Sequence, residues 1–317
     1  MSRRHLIDPE VSPPLEGLLE AMPGGFNAIP DIVQRRATVS VILAGMEVPE
    51  NLNVVKEDRA VPGPEGEPDV SVRVYKPVNA STGLPGIYFI HGGGMILGTV
   101  DGEDVVAAMI CEQVGAVVVS VEYRLAPEHP HPAPVEDCYA GLVWMAKNAA
   151  ELGFDPDRLG IYGASAGGGL TIATALLARD RGGPACKFMM PIYPMLDDTN
   201  TSGSSHEITD IGIWDRAGNL EAWAWYLGGK PADQYAAPAR AEDLSGLPPA
   251  YVLTCELDPL RDEGIRYAAR LLETGISVEL HSFPGAFHGT TMVQGSGIAT
   301  RMTTERLGAL RRALRRS

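Results

Sequence analysis

The chain has 317 residues, of which 45% are hydrophobic and 21% charged. This is the range of a globular protein, and the length suits one large α/β domain with an addition. A net charge of −14 excludes nucleic acid as the main partner. No apolar run reaches membrane-spanning length, so stable membrane insertion is not expected.

In chain order, residues 1–49 hold helix-like stretches at 15–22 and 32–43. Strand-like segments follow at 54–61, 70–75, 86–90, 116–122, 159–162, 188–192, 250–255 and 278–283. The first pair reads as a hairpin around 62–68. Helix-length stretches at 104–114, 137–151, 170–179 and 262–273 separate most of the later strands. That alternation predicts an α/β fold with a mostly parallel sheet and helices on both faces. Residues 196–235 break the pattern and carry Trp214, Trp223, Trp225 and Tyr226. The end, 306–316, has apolar residues at helical spacing with a basic outer face, which predicts a terminal helix packed on the sheet with solvated arginines. Charged residues open the chain without a following apolar region of signal length, and Cys111, Cys138, Cys186 and Cys255 show no C-x-x-C spacing. Buried free thiols in a cytoplasmic protein are the expectation.

Three sites carry chemistry. The apolar segment 86–90 runs into His91-Gly92-Gly93-Gly94. Three glycines in a row are entropically costly, and close approach of backbone to a ligand is a physical reason for them. A phosphate loop of the P-loop kind needs Gly-Lys-Ser/Thr next. Met95-Ile96-Leu97 stands there instead and suits an acyl pocket. His91 reads as a structural group of the loop. The segment 159–162 runs into Gly163-Ala164-Ser165-Ala166-Gly167 and then a helical stretch, 168–179. Strand, G-x-S-x-G and helix together are a nucleophile elbow, which strains the serine and projects its hydroxyl above the sheet. Backbone N–H groups of Gly92, Gly93 and Ala166 are then the candidate oxyanion hole.

The remaining partners follow from chain order, which in such enzymes is Ser, Asp or Glu, then His. Asp258 ends the 250–255 strand region on the Ser165 side of the sheet. Glu256, Asp262 and Glu263 compete with it; Asp262 and Glu263 read as first-turn helix carboxylates. Beyond Asp258 only His281 and His288 remain. His281 falls within an alternating strand, whereas His288 lies in the loop 284–289, where a base can reach the serine.

These residues, with Tyr123-Arg-Leu-Ala-Pro-Glu128, Pro132-Ala-Pro-Val-Glu-Asp137, Asp258-Pro-Leu-Arg-Asp-Glu-Gly264 and Phe287-His-Gly289, resemble the hormone-sensitive lipase-like carboxylesterases of the α/β-hydrolases. The match is multi-point and covers roughly 50–300. It implies an α/β-hydrolase fold, with a mostly parallel eight-stranded sheet flanked by helices and a helical cap. The cap would comprise 1–49 and an insertion at about 196–235, and the catalytic domain 50–317. The resemblance also implies Ser165, Asp258 and His288 as triad, the oxyanion loop at Gly92 and Gly93, and serine esterase chemistry without a cofactor. The expected substrate is a short- to medium-chain carboxylic ester, with Met95 and Trp214 as candidate substrate contacts and a homodimer as a candidate assembly. An amidase with the same triad is the rival enzyme. A ligand receptor on this scaffold is the rival of another class, but such receptors lose the histidine. Ala164 replaces the Asp or Thr usual in the family, Met95 an aromatic and His131 a Phe.

Overall fold

The computed structural model describes residues 2–22, 24–44 and 52–315. The expected boundary at 49/50 and the last basic residue of 306–316 lie outside the described residues. Two N-terminal helices, α1 (Ser12–Ala21) and α2 (Ile32–Ala44), precede the sheet. Its strands are β1 (Val54–Val61), β2 (Val70–Pro77), β3 (Leu84–Ile90), β4 (Val117–Glu122), β5 (Phe154–Ala164), β6 (Phe188–Ile192), β7 (Ala250–Leu257) and β8 (Val278–Phe287). They form one sheet in the order β1-β2-β4-β3-β5-β6-β7-β8. Only the β1/β2 and β2/β4 pairs are antiparallel. β3 and β6 are buried almost end to end, and β5 from Leu159 onward, as central parallel strands covered on both faces must be.

Side chains alternate along each strand, and each alternation feeds a different core. Ile87 and Phe89 of β3 face the layer that holds α3 (Asp104–Val114) and α10 (Gly297–Ala313). Tyr88 and Ile90 face the layer of α4 (Ala133–Lys147), α5 (Ala149–Leu152), α6 (Ala166–Asp180) and α9 (Arg261–Glu273). The terminal helix starts at Gly297 and buries Leu307, Ala309 and Leu310 as its apolar spacing predicts, but Arg306 is buried with them rather than solvated. Cys111, Cys138 and Cys255 are buried free thiols, while Cys186 is only partly covered. Among the described residues no helix is long and apolar enough to cross a membrane.

The insertion between β6 and β7 carries α7 (Gly203–Glu207) and α8 (Arg216–Leu227). It packs on the N-terminal helices. Arg4 donates to the carbonyls of Asp210 and Ile211 at 2.9 and 3.0 Å. Arg35, fully buried on α2, pairs with Glu221 of α8 and lies over the Trp225 ring. Arg36 ties α2 to the sheet side, donating to the Ile96 carbonyl and to Glu128, each at 2.8 Å. Trp223 and Tyr226 are buried against the main core.

Candidate active site

Strand register sets the site. Ile90 pairs with Gly163, Ala164 with Ile192, and Leu257 with Phe287, so the residues just after β3, β5, β7 and β8 all emerge at one edge of the sheet. Those residues are His91, Ser165, Asp258 and His288. Ser165 links β5 directly to α6, with φ +58° and ψ −122°. An L-residue held there is strained. The turn is tight because a Cβ at Gly163 would lie 2.2 Å from the Gly167 carbonyl oxygen, and one at Gly167 would lie 2.1 Å from that of Ile90. The Ser165 hydroxyl does not cap its own helix, which leaves it free for another partner.

That partner is His288. Its Nε2 lies 2.9 Å from Ser165 Oγ, and its Nδ1 2.7 Å from Asp258 Oδ2. The buried carboxylate fixes the tautomer: Nδ1–H donates to Asp258 and Nε2 accepts the serine proton. His288 crosses from the far strand because β8 bulges. Between Cys255↔Phe283 and Leu257↔Phe287 the register advances two residues on β7 and four on β8. The loop expected at 284–289 is therefore mostly strand, bent at Pro284-Gly285. Glu256 supports the bend by accepting the Gly285 N–H at 2.8 Å. Asp262 accepts from Ser204, and Glu263 from Leu196. Of the four candidate acids, only Asp258 meets the imidazole. His281 sits on the sheet face, paired with Glu279 and Glu305.

The glycine loop differs from expectation at one residue. The Gly92 N–H already donates to Glu103 Oε1 at 2.7 Å, so it is not a free oxyanion donor. Among the described residues nothing accepts the Gly93 or Gly94 N–H, and Ala166, first in α6, has no intrahelical acceptor for its own. His91 is buried and structural as expected: Nδ1 bonds the Gly92 carbonyl at 2.8 Å and the ring stacks on Tyr123. Burial brings its pKa down to about 4, so the ring is neutral and Nδ1 donates. Trp214 stands 6.1 Å from the His288 ring, between centroids, and is almost fully buried. Met95 is buried in the same core cluster as Trp214. Tyr193, not singled out by sequence, meets His288 edge-on at 4.8 Å. Ser165 is 7% exposed and His288 6%, so nucleophile and base are covered, with Tyr193 and Trp214 beside the imidazole.

An eight-stranded sheet of this order, with the elbow after β5 and its partners after β7 and β8, defines an α/β-hydrolase. The chain belongs to the hormone-sensitive lipase-like family of that fold, and the family model described as alpha/beta hydrolase fold matches residues 87–292. It is similar to carboxylesterase NlhH of Mycobacterium tuberculosis, 41% identical over 99% of both chains. It is also similar to ethyl acetate hydrolase of Pseudomonas putida, 33% identical over 68% of this chain and 70% of that one. The solved structure of a bacterial heroin esterase superposes with a TM-score of 0.91 at 41% identity, covering 99% of this chain and 100% of that one. The chain is a carboxylic ester hydrolase.

Proposed function

We propose that the chain hydrolyses short- to medium-chain carboxylic esters through an acyl-enzyme on Ser165. The observation that carries this reading is the relay Ser165 Oγ···Nε2 His288 Nδ1···Oδ2 Asp258, at 2.9 and 2.7 Å. As Ser165 Oγ bonds to the ester carbonyl carbon, His288 Nε2 takes its proton and the carbonyl oxygen becomes an oxyanion. The N–H groups of Gly93, Gly94 and Ala166 receive that charge, each contributing roughly 3–4 kcal/mol to the transition state. His288 passes the proton to the departing alkoxide. A water then attacks the acyl-enzyme, giving one proton to His288 and its hydroxide to the acyl carbon, and Ser165 leaves with the proton returned.

Size preference rests on closure. A nucleophile 7% exposed, with Trp214 beside the base, suits small soluble esters, and N-terminal helices plus insertion act as a cap. The likeness to an ethyl acetate hydrolase, whose substrate has a two-carbon acyl group, supports the same range. The test is hydrolysis of p-nitrophenyl esters from acetate to palmitate. Turnover should peak at the short to middle chains and vanish in Ser165→Ala. Retained turnover in that variant, or an optimum at palmitate, would overturn the respective half of the reading.

A further inference from the structure

Gly92 has no side chain to restrict it, yet it is held on both sides. Its N–H donates to Glu103 at 2.7 Å, and its carbonyl accepts from His91 Nδ1 at 2.8 Å. The Gly92 carbonyl and the Gly93 N–H share one planar trans peptide and point in opposite directions. Fixing the planes before and after Gly92 therefore fixes both of its dihedrals and aims the Gly93 N–H. A residue-92 Cβ would stand 3.3 Å from Glu103 Oε1 and 3.4 Å from Ser165 Cβ, so the carboxylate works within one residue's width of the nucleophile.

Glu103 is itself anchored. It ends a 3-10 turn, Asp101–Glu103, that leads directly into α3. Asp101 and Asp104 on either side bind Arg73 at 2.7 and 3.1 Å, and Asp104 accepts from Tyr75 at 3.0 Å. A bond of 2.7 Å from a backbone N–H to a carboxyl oxygen sits at the short end of the N–H···O range and holds its geometry accordingly.

We propose that Glu103 is a positioning residue for ester hydrolysis, clamping the Gly92 N–H so that the following glycine N–H groups face the developing oxyanion. The inference rests on the serine-hydrolase reading above. It assigns a function to an acidic side chain that touches neither substrate nor triad.

The test compares wild type, Glu103→Ala and Glu103→Gln, with kcat and KM on p-nitrophenyl acetate and the inhibition constant of an aryl trifluoromethyl ketone. That ketone adds to the serine and carries an oxyanion. Loss of the clamp should lower kcat of Glu103→Ala on the order of 10–100-fold, part of the effect of deleting a whole donor, with KM within about threefold. Ketone affinity should weaken by a similar factor. Glu103→Gln keeps an acceptor oxygen and should retain kcat within about fivefold. Glu103→Met, of similar length without that acceptor, replaces the alanine variant should it fail to fold. The clamp is overturned if the folded variant lacking the acceptor keeps kcat within twofold, if Gln is as damaged as Ala, or if KM alone changes. Wild type without turnover, or turnover surviving in Ser165→Ala, removes the serine-hydrolase reading and the clamp with it. Serine-dependent turnover indifferent to residue 103 removes the clamp alone.

Discussion

Gly94 lies hard against the indole of Trp214: a Cβ at residue 94 would meet Cη2 at 2.4 Å. The glycine loop and the insertion that covers it are thus fitted to each other through a position where φ is +64°. The indole cannot swing aside freely, because its Nε1 donates to Asn219, which in turn donates to Asn200. Gly94→Ala should cost roughly 1–2 kcal/mol for the left-handed backbone, and more for the collision. In a Trp214→Ala background the backbone part should remain, with a smaller remainder from Ala222, whose Cβ would stand 3.2 Å away. Urea denaturation of the four proteins checks this; an equal cost of Gly94→Ala in both backgrounds would show that the contact is not tight.

Asp258→Asn should abolish most activity while leaving the fold intact. One carboxylate oxygen accepts the Leu260 N–H at 2.9 Å, and the other faces His288. An asparagine satisfies Leu260 with its oxygen, which turns its NH2 group towards His288 Nδ1. The imidazole must then accept at Nδ1 and carry its proton on Nε2, where it can no longer take the serine proton. A loss on the order of 10⁴ in kcat is expected, as for the same change in other Ser-His-Asp triads. A loss under tenfold with unchanged thermal stability would move the acid role away from Asp258.

The order Ser165, Asp258, His288 and the eight strands were legible because each is a local pattern: an apolar run, a turn signal, a fixed chain order. What was not legible depends on tertiary contact. Three consecutive glycines do not reveal which N–H is already taken, so Gly92 reads like Gly93 until Glu103 is seen beside it. Glu103 in turn stands in Asp101-Gly102-Glu103-Asp104, where an acidic residue before a helix is unremarkable. Pro284-Gly285 reads as a loop, and only pairing with β7 shows a bulged strand supported by Glu256. Arg306 belongs by sequence to a basic outer face, yet it is buried and donates to the Tyr162 hydroxyl at 2.9 Å.

Arg35→Ala should loosen the two N-terminal helices from the insertion. Arg35 is fully buried, donates to the Ile29 carbonyl at 2.7 Å and to Glu221 at 3.2 Å, and stacks over Trp225. Removing one partner of a buried pair typically costs about 3–5 kcal/mol. Glu221 keeps 31% of its side-chain surface in water, so a smaller loss, on the order of 2–3 kcal/mol, is expected. Limited proteolysis should then cut first within residues 2–44. Cleavage elsewhere, or at the wild-type rate, would show that other contacts hold these helices.

Acid stability should respond to Glu103 in a direction set by two opposed groups on Gly92. Burial brings His91 down to about 4, against an ordinary value near 6.5. Between pH 4 and 6.5 the unfolded chain binds that proton and the folded one does not, so stability rises with pH. Burial pushes Glu103 up to about 7, opposed by the Gly92 N–H and by Arg306, against an ordinary 4.5. Between pH 4.5 and 7 the folded chain keeps a proton that the unfolded one gives up, so this contribution falls as pH rises. The two slopes offset each other over pH 4.5–6.5. Glu103→Gln removes the falling one, and its melting temperature should climb more steeply than wild type across that window. Burial raises the phenols of Tyr123 and Tyr162, whose charges couple to Glu103, above their ordinary range, so they do not titrate there and the difference between the two melting curves reports residue 103. Identical slopes in the two proteins would mean that Glu103 is ionised throughout in the folded state.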